Sequence, residues 1–321
     1  MATKHDIAAA ANTLRQGGLV AFPTETVYGL GASALDAAAV AGIFELKGRP
    51  RFDPLIVHIA DAEQLTDLVR SVPPLAMELI DKFWPGPLSL VLEKRRCVPD
   101  IVTAGLSSVA VRCPQHDVAR ELIRAAGVPV AAPSANRFGM VSPTAAAHVI
   151  EQFGERLPIV LDDGPCRIGV ESTVVSFVDS PDERPTLLRP GGVTLEQIED
   201  VIGKIEMRTQ EDSRPTSPGQ LSRHYSPATP LVLSGDILRN DLLDGKSAVG
   251  LLSFRRPQST DGFSATEVLS EQGDLREAAA NLFAAVRSLD SLGLDLIVVR
   301  PVPEVDLGRA IMDRLRRAAA R

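Results

Sequence analysis

At 321 residues the chain exceeds the usual size of one domain, and about 150 residues per domain predicts two, each able to bury a core. Hydrophobic residues at 45% and charged residues at 23% exclude long disorder, while a net charge of −7 and only 4% aromatics count against a wide nucleic-acid footprint or base-stacking platforms. The cysteines, Cys97, Cys113 and Cys166, show no metal-ligand spacing, and no run nears the ~20 apolar residues of a membrane span, so a soluble, unprocessed, cytoplasmic protein is expected.

The opening predicts a helix from about Asp6 to Gln16, stopped by Gly17 and Gly18 before the strand LVAF and the loop PTETVYGLG. Asp36 caps a second helix, AAAVAGIFELK, which ends at Gly48 and Pro50 and so delivers Lys47 and Arg49 together. LIVHI, LSLVLE and SVAVRC read as strands, with two short helices over 62–83 broken at Pro73 and Pro74, and another helix over 116–126. PVAAPSAN runs from a strand into a polar turn, and in SPTAAAHVIEQFG Ser142 reads as an N-cap with Pro143 at the first helical position. PIVLDDG, ESTVVSFV and TLLRPGG add strands, and a helix over 194–202 closes this part. Residues 203–229 lose periodicity and gather Pro, Ser, Gly and charge, as a linker does. PLVLSG, SAVGLLSF, TEVLS and LDLIVVR, with helices over 274–291 and 307–320, predict a second, smaller α/β unit.

The chemistry-bearing residues have bland readings beside functional ones. Lys47 and Arg49 suit phosphate oxygens, the arginine as a planar fork and the lysine as a point charge, or they are a solvated helix end. Arg112 ends an apolar run where an unpaired charge is costly, so it either clamps a ligand carboxylate or pairs with a protein one. His58 within LIVHI reads first as a satisfied core histidine. Ser134 and Asn136 in PSAN offer donors and acceptors at a strand exit or simply make a turn, and Ser172, Thr173 and Arg189 carry the same ambiguity. The chain contains neither GxxxxGK[ST] nor GxSxG, which leaves chemistry by positioning and charge stabilisation as the favoured mode.

Taken in order, PTETVYGLG, KGRP, DPLIVHI, PGPLSLVL, VAVRCP, APSAN, SPTAAAHV, ESTVVSF and LLRPGG closely resemble the YrdC-like threonylcarbamoyl-AMP synthase family over roughly residues 5–202. SPGQLSRHYSP and the α/β unit after it resemble that family's longer, two-domain form. The resemblance implies a YrdC-like twisted mixed-sheet catalytic domain over 1–202, a linker and active-site lid over 203–229, and a Rossmann-like α/β domain over 230–321. It also implies an enzyme that joins L-threonine, bicarbonate and ATP into threonylcarbamoyl-adenylate and pyrophosphate, with Mg²⁺ carried by ATP. Its product would pass to a tRNA-modifying transferase complex, with no stable tRNA binding by this chain. By motif position Thr26, His58, Arg112, Ala132 and Ser172 would hold threonine. Arg49, Ser108, Ser134, Ser142, Arg189 and Tyr225 would line the ATP site, with Asp53 a nucleotide neighbour.

Lys47, Arg49, Ser134 and Asn136 match the family's K-x-R and S-x-N signature and would steady charge during attack on the α-phosphate. His224 and Tyr225 would form the lid. One departure stands out: Asp53 occupies a position where the family usually has asparagine, and a carboxylate there would repel a triphosphate unless Mg²⁺ or Arg51 intervenes. Two other readings remain: a carbamoyl-adenylating relative serving another acceptor, for which the usual extra domains are missing, and a non-catalytic RNA-binding module.

Overall fold

A computed structural model describes residues 1–178, 184–207, 224–234 and 247–320. The strands are β1 (Val20–Phe22), β2 (Gly29–Ser33), β3 (Ile56–His58), β4 (Leu88–Glu93), β5 (Ser108–Arg112), β6 (Val130–Ala131), β7 (Thr173–Ser176), β8 (Thr186–Arg189) and β9 (Glu206–Met207), then β10 (Leu231–Leu233), β11 (Val249–Ser253), β12 (Ala265–Val268) and β13 (Leu296–Val299). The first nine form one mixed sheet in the order β1-β2-β6-β3-β5-β4-β7-β8-β9, and the last four form a parallel sheet in the order β10-β13-β11-β12. This is the expected α/β plan of a larger mixed sheet followed by a smaller unit.

Local chemistry explains most element ends. The helix Lys4–Arg15 starts in a capping box between Thr3 and Asp6. In Ala37–Lys47, the Asp36 carboxylate accepts from the Ala38 and Ala39 amides, and Gly48 ends the helix in the left-handed region at φ 64°. That turn aims the chain from Lys47 toward Arg49. The helix Leu195–Ile202 begins in a second capping box, between Thr194 and Gln197.

The structure corrects the sequence reading in four places. The segment PTETVYGLG is only partly loop, because Gly29 and Gly31 lie in β2. A side chain at Gly31 would meet Val130 at 2.7 Å and Phe22 at 2.8 Å, so this strand needs glycine for close packing rather than for a turn. PIVLDDG is not a strand; it makes an isolated bridge from Val160 to Ala21 and then turns. Ser142 is not an N-cap, because the helix begins only at Ala146, with Ala145 in the cap position, and the Ser142 hydroxyl donates to Glu171 instead. The expected linker opens with β9, which pairs with β8.

The rest of that linker, residues 208–223, lies outside the described residues. Its end, residues 224–229, is packed between the two sheets' units: the His224 amide donates to the Arg317 carbonyl and the Ser226 amide to the Gly139 carbonyl. Val27, Val141, Val170 and Tyr225 join the apolar core of the C-terminal unit, so the two halves share a continuous seam. Among the described residues, no helix is long and apolar enough to cross a membrane.

Candidate active site

The sheet, the PSAN loop and the HYS segment enclose a cleft of about 530 Å³, counting its open mouth. Of the residues singled out from the sequence, Thr26, Arg49, His58, Arg112, Ala132, Ser134, Ser172, Arg189, Tyr225 and His224 line it. Lys47, Asp53, Ser108, Asn136 and Ser142 do not, although all five are buried. Segments more than a hundred residues apart in sequence therefore meet in one cavity.

Parallel pairing of β3 with β5 sets His58 opposite Arg112 at the strand ends. The Arg112 guanidinium donates from Nη1 to Thr26 Oγ1 at 2.9 Å and from Nε to the Gly86 carbonyl at 3.2 Å. Its Nη2 lies 2.7 Å from Glu25 Oε1, yet neither carboxylate oxygen of Glu25 has an aligned hydrogen-bond partner among the described residues. Arg112 thus pairs with a protein carboxylate, as its bland reading allowed, while still forming part of the cleft. Burial, and then the Arg112 cation, push His58 down to about 3, so its imidazole is neutral near pH 7. Among the described residues its Nδ1 has no hydrogen-bond partner. His58 is thus buried at the cleft wall with one ring nitrogen unpaired.

On the other side, Asp53 holds Arg49. The two side chains form an ion pair at 2.9 Å, and Arg49 also donates to the carbonyls of Asp53 at 3.2 Å and Pro54 at 2.8 Å. The partner expected to neutralise Asp53 was Arg51 or a metal ion; the structure supplies Arg49. Burial raises the Asp53 carboxyl and lowers the Arg49 guanidinium, each opposed by attraction to the other, which is the signature of a buried pair whose net stabilisation is small.

Lys47 is not the solvated helix end that its bland reading allowed. Its ammonium is buried and donates to the carbonyls of Ser134 and Asn136. Burial, then repulsion from Arg49, hold its pKa well below the ordinary lysine value. Asn136 donates to the carbonyls of Arg137 and Met140. The K-x-R and S-x-N segments therefore brace one another, presenting Arg49 and Ser134 to the cleft while Lys47 and Asn136 fix the loop's shape. Ser108 is buried at the start of β5 opposite Glu93.

Arg189, at the end of β8, donates to the Ser172 carbonyl from both Nε and Nη2, and from Nη2 to Ser172 Oγ at 3.2 Å. Ser172 Oγ also shares a 2.8 Å hydrogen bond with Ser89 Oγ. Beside it Glu171 accepts from Ser142 at 2.6 Å and from Arg314 Nε at 2.8 Å. Burial alone would raise the Glu171 carboxyl, but Arg314 and Arg189 outweigh it and hold it at about 2. Tyr225 stacks on Phe283 at 5.6 Å and takes a left-handed φ of 62°, a strained conformation for a bulky residue. Burial, partly opposed by Arg314, pushes its hydroxyl up to about 12.

Sequence reasoning missed Glu25, Glu171 and Arg314. Glu25 lies inside the quoted PTET motif and Glu171 directly precedes Ser172, so their positions were a usable signal. Arg314 sits in the basic C-terminal helix Gly308–Ala319, where nothing in the pattern marks it as fully buried.

Residues 12–191 match the family model described as telomere recombination, and residues 193–320 match that of the threonylcarbamoyl-AMP synthase C-terminal domain. The threonylcarbamoyl-AMP synthase of Pyrococcus abyssi is 46% identical over 97% of this chain and 93% of its own length. That of Bacillus subtilis is 44% identical over 98% of this chain and 92% of its own. The crystal structure of P. abyssi Sua5 complexed with L-threonine superposes with a TM-score of 0.90 at 45% identity, covering 98% of this chain and 94% of that one. The two matched family models meet near residue 192, and the two relatives span both parts. The chain belongs to the threonylcarbamoyl-AMP synthase family.

Proposed function

We propose that the cleft holds L-threonine and ATP side by side while the chain, as a member of this family, makes threonylcarbamoyl-AMP for the modification of tRNA. In this reading the threonine carboxylate approaches Arg112 beside Thr26, with Ala132 and Ser172 on its flanks and the neutral His58 as a hydrogen-bonding neighbour. Because burial holds the His58 pKa at about 3, far below pH 7, the neutral ring orients the substrate and does not shuttle protons at pH 7. The deprotonated amine adds to carbon dioxide drawn from bicarbonate, giving a carbamate and releasing a proton. A carbamate oxygen then attacks the α-phosphorus of ATP in line, and the bond to pyrophosphate breaks.

Arg49, Ser134, Arg189 and Tyr225 form the nucleotide side, where two guanidinium forks face the charge that develops on the phosphate. ATP enters as its magnesium complex, with the phosphates as the ion's main ligands. Among the described residues no group of three or more His, Cys, Asp or Glu could hold a metal ion, and Asp53 and Glu171 are already engaged by arginines. The product then passes, in the cytoplasm, to a downstream transferase complex that modifies adenosine beside the anticodon. The domain limits follow the same reading: a catalytic domain over 1–202, a linker over 203–229 whose His224 and Tyr225 close the cleft, and a C-terminal domain over 230–321.

The observation that carries this reading is one cavity lined both by Thr26, His58 and Arg112 and by Arg49 and Arg189. Calorimetric titration of L-threonine tests it: Arg112→Ala is expected to weaken threonine at least tenfold and ATP little, and equal threonine affinity in the variant refutes the assignment.

A further inference from the structure

Arg314 belongs to the C-terminal domain, yet it is about 1% exposed and reaches the wall of the cleft. Its Nε donates to Glu171 Oε2 at 2.8 Å, and its Nη1 donates to the Pro190 carbonyl at 2.8 Å, next to Arg189. Asp313 accepts from the same Nη1 at 2.7 Å, and the guanidinium carbon sits 5.4 Å from the centre of the Tyr225 ring. Glu171 and Tyr225 both line the cleft. A buried arginine is costly unless paired, and besides Asp313 this one meets three features of the nucleotide side, the carboxylate beside Ser172, the carbonyl after Arg189 and the face of Tyr225, while its Nη2 has no hydrogen-bond partner among the described residues.

The route is continuous. Glu171, held by Arg314 at one oxygen, accepts from Ser142 at the other, and so ties the segment after the PSAN loop to the approach to β7. Tyr225, on its left-handed backbone, contacts both Arg314 and Phe283 through its ring, and both are contributed by the C-terminal domain. A side chain that only closed a domain seam would not need to reach two residues of the cavity wall.

We infer that Arg314 is a positioning residue through which the C-terminal domain completes the nucleotide half of the cleft, acting on Glu171 and Tyr225. This rests on the reading that Arg49, Arg189 and Tyr225 form the ATP side. The C-terminal domain is then part of the active-site architecture, and the nucleotide half is built from both domains.

The test uses the full chain, with equilibrium ATP and threonine binding measured by calorimetry and ATP-dependent pyrophosphate release measured for the KM against kcat split. Arg314→Met is expected to weaken ATP and raise its KM roughly tenfold, the scale for residues coupled in one ion-pair network. Threonine affinity should change by less than about threefold, and Arg314→Lys, which keeps the cation but loses the fork, should fall between Met and wild type. Added to Glu171→Gln, Arg314→Met should cost less than about threefold more, because the two share one route. Unchanged ATP affinity in Arg314→Met, matched loss of both ligands, or fully multiplicative effects in the double variant would each overturn the inference. Should Arg314→Met fail to fold, Arg314→Lys decides alone by the same selective loss of ATP. A wild-type chain that binds ATP but releases no threonine-dependent pyrophosphate overturns the proposed reaction and leaves this binding comparison readable.

Discussion

Asp53→Asn restores the residue usual for the family and separates two effects of the buried ion pair. Asp53 and Arg49 are 2.9 Å apart with side chains 0% and 3% exposed, so their gross attraction is roughly 6 kcal/mol at an effective dielectric near 20. Desolvation of both ions takes back several kcal/mol, and the asparagine amide can still accept from the guanidinium, so the expected net loss is about 2 kcal/mol. For a domain of this size that lowers Tm by roughly 4–8 °C. ATP affinity should move the other way. Arg49 keeps its bonds to the Asp53 and Pro54 carbonyls, so its direction survives, while the carboxylate that repels a triphosphate is gone. A gain of up to about tenfold in ATP affinity, near 1.4 kcal/mol, is expected from calorimetry alongside the lower Tm. ATP binding that weakens together with stability would refute the reasoning, because Asp53 would then matter for aiming Arg49 and not for its charge.

Lys47→Met leaves the Ser134 and Asn136 carbonyls without their donor, so it should lower unfolding free energy by about 2–4 kcal/mol in urea titration as well as slow pyrophosphate release. Normal stability with lost turnover would instead place the ammonium on the substrate. Glu25→Gln strips Arg112 of its countercharge, and a threonine carboxylate can replace it; saturating threonine should raise the variant's Tm more than the wild type's, and an equal shift would count against Arg112 as the carboxylate partner. Glu171, held at about 2 against an ordinary 4.5, binds fewer protons folded than unfolded, so its stabilisation is complete above about pH 4.5 and is lost as pH falls toward 2. Thermal melts across that window should be flatter for Glu171→Gln than for wild type, and parallel curves would contradict the coupling to Arg314.

The order of helices and strands was legible because its signals are local. Asp36, Gly48 and the apolar period between them define one helix to the residue, and the four strands of the second unit stand out as short aliphatic runs. Glycine misled where it serves packing, at Gly29 and Gly31, since the same residue type also marks turns. Ser142 misled because its hydroxyl finds Glu171, a partner 29 positions away that no window on the chain contains. The cavity residues were identifiable by motif, but their division between wall and support was not. Lys47 and Arg49 differ by two positions and look equivalent in sequence, yet the αL turn at Gly48 sends one beneath the PSAN carbonyls and the other into the cleft. Arg314 needed the folded domains, because burial of a charge in an otherwise basic helix depends wholly on what packs against it.

Threonine-dependent pyrophosphate release tests the central claim most directly. Purified full-length chain is supplied with ATP and Mg²⁺, and threonine and bicarbonate are withheld in turn. The account predicts release that needs both, with threonylcarbamoyl-adenylate formed in equal amount. Release that continues without either, or that follows carbamoyl phosphate in place of threonine, would contradict it.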